Sequence, residues 1–222
     1  MVSLVLVGLP ASGKSSVAEL VAERLGLPHL DSDAWVEETT GRSVGEIFAD
    51  EGEQAFRRLE EQAVADLLAR PDAVVSLGGG AVLSPETRRR LADHEVVWLK
   101  VSVAAATRRA GLTRLRPLLL GDIRLQLEAL EAERRPLYEA VADHRVETDR
   151  LTADEVARAV LRLTGRTPVG PDHEVSAGAT ASPAVDDAAA AVDAAAAVDL
   201  ASPAGPPTGA ALSTRVGSGG HD

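Results

Sequence analysis

The densest chemistry in this 222-residue chain lies near its start, in Gly8-Leu9-Pro10-Ala11-Ser12-Gly13-Lys14-Ser15. These residues follow an apolar run and open a helical pattern, which is the spacing GxxxxGK[ST] in the context that spacing needs. Glycines there let backbone N–H groups curl around the β- and γ-phosphates of a nucleotide, and a helix N-terminus adds partial positive charge. Lys14 supplies a point charge and Ser15 an oxygen for Mg2+. The chain contains two lysines, Lys14 and Lys100, against 21 arginines, so a lysine at this turn suggests a need for a compact ammonium rather than a planar fork. Guanine readout needs an NKxD element and neither lysine lies in one, which leaves adenine or unselective purine binding.

Two carboxylates stand two residues apart in Asp31-Ser32-Asp33, at the end of a short run where ligands gather in open α/β sheets. One suits Mg2+, through water, and the other suits an attacking hydroxyl that it orients or deprotonates. The alternative reading is an Asx turn capping the next helix. In Phe56-Arg57-Arg58-Leu59-Glu60, Arg57 and Glu60 share a helix face, so Glu60 braces Arg57 while Arg58 points away; a surface ion pair would read the same. Ser76-Leu77-Gly78-Gly79-Gly80 follows another apolar run, and three glycines let a ligand approach the backbone where a plain turn needs one. Arg114-Leu115-Arg116-Pro117-Leu118-Leu119 and Glu133-Arg134-Arg135-Pro136-Leu137-Tyr138 add guanidinium groups. Phosphoryl transfer needs cations beyond a single lysine, and a carboxylated acceptor needs a fork to hold it. The histidines His29, His94, His144, His173 and His221 share no ligand spacing.

Positioning these groups requires a sheet with helices on both faces. Short apolar runs at Leu4 to Val7, Ala73 to Leu77, Val96 to Val101 and Arg145 to Thr148 read as parallel strands, with Pro28 to Asp31 as a fifth candidate. Helical patterns run from Lys14 to Leu25, Glu53 to Ala69, Pro85 to Ala92, Ile123 to Ala142 and Ala153 to Leu163. Gly26 and Gly165 suit the left-handed residue that closes a helix. Residues 34–52 and 111–121 fit neither template and are expected to be irregular, the second as a lid. The fold class is α/β, three layers with a central parallel sheet of about five strands.

Composition divides the chain at Arg166. Residues 167–222 hold 16 Ala, 7 Gly and 6 Pro and no aromatic residue, so they cannot build a core and read as a disordered, acidic tail with a repeated AAAAVD unit. Domain boundaries follow as 1–166 and 167–222. The net charge of −11 argues against nucleic acid or an anionic membrane as a partner, and the absence of cysteine excludes disulfides and thiolate metal sites. No run approaches the roughly 18 apolar residues that span a bilayer, and Leu4 to Val7 does not form a signal peptide. A cytoplasmic monomer is expected.

Taken in order, GLPASGKSS, the DSD pair, GRSVGEIFADEGEQAFRRLE, SLGGGAV, RPLL and RRPLYEAVA resemble the shikimate kinase family from about Leu4 to Leu163. The resemblance implies a nucleoside-monophosphate-kinase-like fold with a lid, and transfer of the γ-phosphate of ATP, with Mg2+, to the 3-hydroxyl of shikimate, toward chorismate and the aromatic amino acids. It implies that Gly8, Ala11, Ser12, Gly13, Lys14, Ser15 and Ser16 cradle the nucleotide, with Arg109 against the adenine and Arg150 near it. Ser15 and Asp31 would serve Mg2+. Asp33 would hold the acceptor hydroxyl, with Lys14 and the lid residue Arg116 as the other catalytic groups. Arg57, Gly78, Gly79, Gly80 and Arg134 would hold shikimate. Three departures stand out: Ala11 where the family often has glycine, Ala153 where it often has proline near the base, and the tail 167–222, which is not part of the family pattern. A gluconate or other sugar-acid kinase is the alternative within this scaffold, and a nucleotide-binding regulatory module the alternative outside it; the latter has no use for Asp33, Arg57 and Arg134 together.

Overall fold

Every residue of β1 (Leu4–Val7) is buried on both faces, which is what a continuous Leu/Val run becomes at the centre of a parallel sheet. The computed structural model describes residues 3–113 and 120–169. Its sheet has the order β2-β3-β1-β4-β5, with β2 (His29–Asp31), β3 (Val74–Ser76), β4 (Glu95–Lys100) and β5 (His144–Glu147) all parallel to their neighbours. The carboxyl ends of the strands therefore lie along one edge, where the loops that carry ligands gather.

Alternation along the strands splits the core in two. Leu4, Leu6, Val74, Val97 and Leu99 face α1 (Lys14–Leu25) and α8 (Ala153–Leu163). Val5, Val7, Val75, Leu77, Val96 and Trp98 face the other side. That face is covered by α4 (Glu53–Leu68), α5 (Pro85–Leu91), α6 (Val103–Thr113) and α7 (Leu120–Val141). Gly26 closes α1 at φ 61, and Gly165 has φ 62 just beyond α8, the left-handed positions anticipated for them.

Residues 34–52 are not irregular. They form α2 (Ser32–Thr40) and α3 (Val44–Glu51), each shorter than the window over which helical periodicity is legible. A capping box between Ser43 and Glu46 starts α3, and Val36, Val44, Ile47, Phe48, Phe56 and Ala63 form a third buried cluster. The helix α6 was also unassigned in the sequence, because Ala105, Ala106 and Ala110 bury a face without the large side chains that mark one. Residues 111–113 belong to α6 and 120–121 to α7. The lid expectation and Arg116 fall on residues 114–119, outside the described residues. So do residues 170–222, with the AAAAVD repeat and the expected disorder of the tail. Residues 166–169 lie against the body: Arg166 Nη2 pairs with Glu95 Oε2 at 3.0 Å, and Val169 N donates to Arg24 O at 2.9 Å.

Candidate active site

The loop between β1 and α1 wraps around its own lysine. Lys14, 5% exposed, donates from Nζ to Gly8 O at 3.0 Å and Leu9 O at 3.1 Å. Gly13 begins α1 at φ 91 without a side-chain cap, so the first helical N–H groups are left for an anion. Gly8 has φ +152, and a Cβ there would run into the Leu99 carbonyl oxygen; no other residue fits. Ala11 does occupy the left-handed region, at φ 60, so the alanine in the glycine position carries the strain that the sequence raised as a condition.

The two oxygens of Asp31 divide between a helix cap and the phosphate loop. Its Oδ1 accepts from Asp33 N at 2.9 Å and Ala34 N at 3.3 Å, capping α2. Its Oδ2 accepts from Ser15 Oγ at 3.0 Å and Ser76 Oγ at 2.6 Å. One oxygen holds the helix and the other faces the phosphate loop. Ser76 in turn meets His29 Nε2 at 2.9 Å, and burial pushes the His29 pKa down, against the opposing influence of Asp31 and Glu19.

Asp33 follows in the first turn of α2, 7% exposed. Ser32 ties that turn to the glycine segment by accepting from Gly78 N at 2.8 Å. Gly78 is needed because a Cβ there would sit 2.8 Å from Asp33 Oδ1 and 2.5 Å from Glu60 Oε1. Across Gly80 lies Arg57, whose guanidinium would overlap a Cβ at that position. Arg57 Nη1 donates to Glu60 Oε2 at 2.7 Å, its Nε and Nη2 reach Glu53 Oε1 at 3.3 and 3.2 Å, and its Cζ lies 5.4 Å from the Phe56 ring centroid. Glu60 is 2% exposed. The pair is thus a fixed fork beside a buried carboxylate, not a solvated surface bridge, and Arg58 on the next face is exposed.

Gly79 joins the two halves of the site. Pro10 Cδ of the phosphate loop and Arg134 Nη1 of α7 lie 3.2 and 3.6 Å from the place its Cβ would take. Arg134 is 2% exposed. One turn further along α7, Tyr138 donates to Gly79 O at 2.6 Å and stacks on Trp98 with centroids 5.9 Å apart, docking the helix so that Arg134 reaches the glycines. Asp33, Arg57, Arg134 and the phosphate loop, scattered through the sequence from residue 8 to residue 134, converge on Gly78–Gly80.

A separate cavity of about 190 Å³ opens beside the start of α1, lined by residues that include Ser12, Gly13, Ser16, Arg109, Thr148 and Leu151. Arg109 donates to Ala11 O and Thr148 Oγ1, both at 3.2 Å, and to Thr148 O at 2.5 Å. Burial lowers the Arg109 pKa from its ordinary value, with Asp149 opposing. Ala153 also lines this cavity, in the place where the resemblance set a proline near the base. Arg150 does not: it is exposed, in the turn after β5, and its neighbours Leu151 and Ala153 face the cavity instead. Thr148, Leu151 and Tyr138 were not singled out in the sequence. Thr148 follows the carboxyl end of a strand, where ligands are expected, and Tyr138 lies four residues after Arg134 on one helix face. Among the described residues no group of three or more His, Asp or Glu could hold a metal ion, and no helix is long and apolar enough to cross a membrane.

A family model described as shikimate kinase matches residues 10–164. A shikimate kinase of Thermobifida fusca is 47% identical over 158 residues, spanning 71% of this chain and 92% of that protein. One of Mycobacterium tuberculosis is 51% identical over 158 residues, spanning 71% of this chain and 90% of that protein. Among solved structures, the shikimate kinase of Acinetobacter baumannii in complex with shikimate superposes with a TM-score of 0.69 at 34% identity, covering 74% of this chain and 93% of that one.

Proposed function

The chain belongs to the shikimate kinase family, its activity is the transfer of the γ-phosphate of ATP to the 3-hydroxyl of shikimate, and we propose how its own residues divide that work. The observation that carries the assignment is the meeting of Asp33, Arg57 and Arg134 with the phosphate loop at Gly78–Gly80. Arg57 and Arg134 hold the carboxylate of shikimate, Arg57 pre-oriented by Glu60. Asp33 orients the 3-hydroxyl and takes its proton as the oxygen bonds to the γ-phosphorus. The bond to the bridging oxygen breaks and ADP leaves. The amides at the start of α1 and the Lys14 ammonium offset charge on the phosphates. Lys14 already lies against the loop carbonyls, so its ammonium is placed before the nucleotide arrives. Arg109 lies against the purine, in the cavity beside Ser16; the phosphate-binding role expected of Arg116 falls outside the described residues.

Ser15 and Asp31 fit Mg2+: both present hard oxygen atoms, 3.0 Å apart, next to the phosphate loop. The ion would neutralise charge on the β- and γ-phosphate oxygens when bound. Residues 1–166 form the kinase unit and 167–222 take no part in the reaction; the family match ending at residue 164 supports this. The enzyme acts as a monomer, since one chain supplies both halves of the site, and in the cytoplasm, where ATP is available. A coupled ADP-release assay with a panel of hydroxy acids tests the reading. Turnover should depend on shikimate; turnover stimulated by gluconate and not by shikimate would overturn it.

A further inference from the structure

His29 and Asp31 stand two residues apart on the edge strand β2, so their side chains share one face of the sheet. The register places Asp31 beside Ser76 of β3. A line of hydrogen bonds results: His29 Nε2 to Ser76 Oγ at 2.9 Å, Ser76 Oγ to Asp31 Oδ2 at 2.6 Å, and Ser15 Oγ to the same Asp31 oxygen at 3.0 Å. Counting protons sets the direction. A carboxylate oxygen only accepts, so the single Ser76 proton goes to Asp31. Ser76 Oγ is then an acceptor toward His29, whose Nε2 must carry a proton. Ser76 is 1% exposed, so water does not take the place of that donor.

We infer that His29 is a positioning residue for the metal-facing carboxylate: its Nε2–H holds the Ser76 hydroxyl in the rotamer that donates to Asp31 Oδ2, and so keeps that oxygen turned toward Ser15. The inference rests on the reading of Ser15 and Asp31 as the residues that serve Mg2+. Asp31 Oδ1 is fixed independently by the backbone N–H groups of Asp33 and Ala34, so what His29 adds is the rotation of the carboxylate about that anchored oxygen. With the donor gone, the Ser76 hydroxyl samples its other staggered positions and Oδ2 is held by Ser15 alone. Groups that orient a metal-bearing side chain from behind change metal affinity measurably without touching the ion.

Calorimetric titration of ADP into the full chain, in EDTA and across a Mg2+ series, gives the Mg2+ affinity of the ADP complex with no turnover. His29→Leu should weaken that affinity about tenfold, the low end for a group one hydrogen bond removed from the metal-facing carboxylate, with ADP binding in EDTA within twofold of the parent. His29→Gln, whose amide restores an N–H donor, should recover most of the loss. Ser76→Ala should reproduce the loss, and His29→Leu should add nothing to it; if His29→Leu does not fold, Ser76→Ala carries the comparison. A folded His29→Leu, or in its place Ser76→Ala, with the parent's Mg2+ affinity overturns the inference. Asp31→Asn separates the two failures. If it weakens Mg2+ binding while the other variants do not, only the role of His29 falls; if it has no effect, the metal reading falls and takes the inference with it.

Discussion

Replacing Gly80 by alanine isolates the contact that places Arg57, the proposed substrate fork. Gly80 sits at φ −91, ψ −10, a backbone that alanine adopts without strain. The whole cost therefore comes from the added Cβ, which falls within the Arg57 guanidinium. Arg57 must move, and moving breaks its 2.7 Å bond to Glu60. A charge-assisted hydrogen bond contributes about 1.5–3 kcal/mol. The pair with Glu53, which is exposed, adds little. A loss near 2 kcal/mol lowers the Tm of a domain this size by roughly 4–8 °C. The displaced fork also gives up a bond of similar strength to the substrate carboxylate, about 10- to 150-fold in the KM for shikimate. Asp33 and the phosphate loop are not displaced, so kcat should change far less. Steady-state kinetics over a shikimate series at saturating ATP, with a thermal melt of the same preparation, reads both quantities. Arg57→Ala supplies the cycle: in that background Gly80→Ala should cost under about twofold more. A KM within about threefold of the parent, or an equal penalty with and without Arg57, would refute the reasoning.

Asp33→Asn should lower kcat by about 10²- to 10⁴-fold with the KM for shikimate within about tenfold; full activity would contradict the proton-acceptor role. Ala11→Gly should raise stability by about 0.5–1 kcal/mol, because about 1–2 kcal/mol of left-handed strain is relieved against roughly 0.5–1 kcal/mol of added chain entropy; a lower Tm would show that the alanine is not strained. Burial holds His94 and His29 below the ordinary histidine pKa of 6.5. The unfolded chain then binds more protons than the folded one at mildly acid pH, so stability is complete above 6.5 and falls as pH drops through that value toward the folded pKa. The drop in Tm between neutral and mildly acid buffer should shrink in His94→Phe; an unchanged drop in that variant would count against it.

Much of this protein was written in short stretches of chain. The phosphate loop is read from eight neighbouring residues because its chemistry is backbone geometry, and β1, α1 and α8 begin and end where glycines, a buried apolar run and an amphipathic face place them. Glu60 beside Arg57 was legible because both sit on one helix face. Asp31 is legible in the sequence as either a cap or a metal residue, and only the register of β2 against β3, which brings Ser76 alongside, shows that one oxygen caps α2 while the other is free of that task and faces Ser15 and Ser76. The helices α2, α3 and α6 are not legible in the sequence because short or alanine-rich helices bury too little large apolar surface to impose a period.

Local pattern carries the identity of the chemical groups and the elements that hold them. It does not carry distance. That Gly80 must lack a Cβ because Arg57 crosses it, that Tyr138 reaches the Gly79 carbonyl from 59 residues away, that Arg109 lines the cavity beside the start of α1 while Arg150 does not, and that His29 stands behind Ser76 are decided by how layers pack on the sheet. Packing is a property of surfaces meeting across the fold, and no spacing within one segment encodes the surface it will meet.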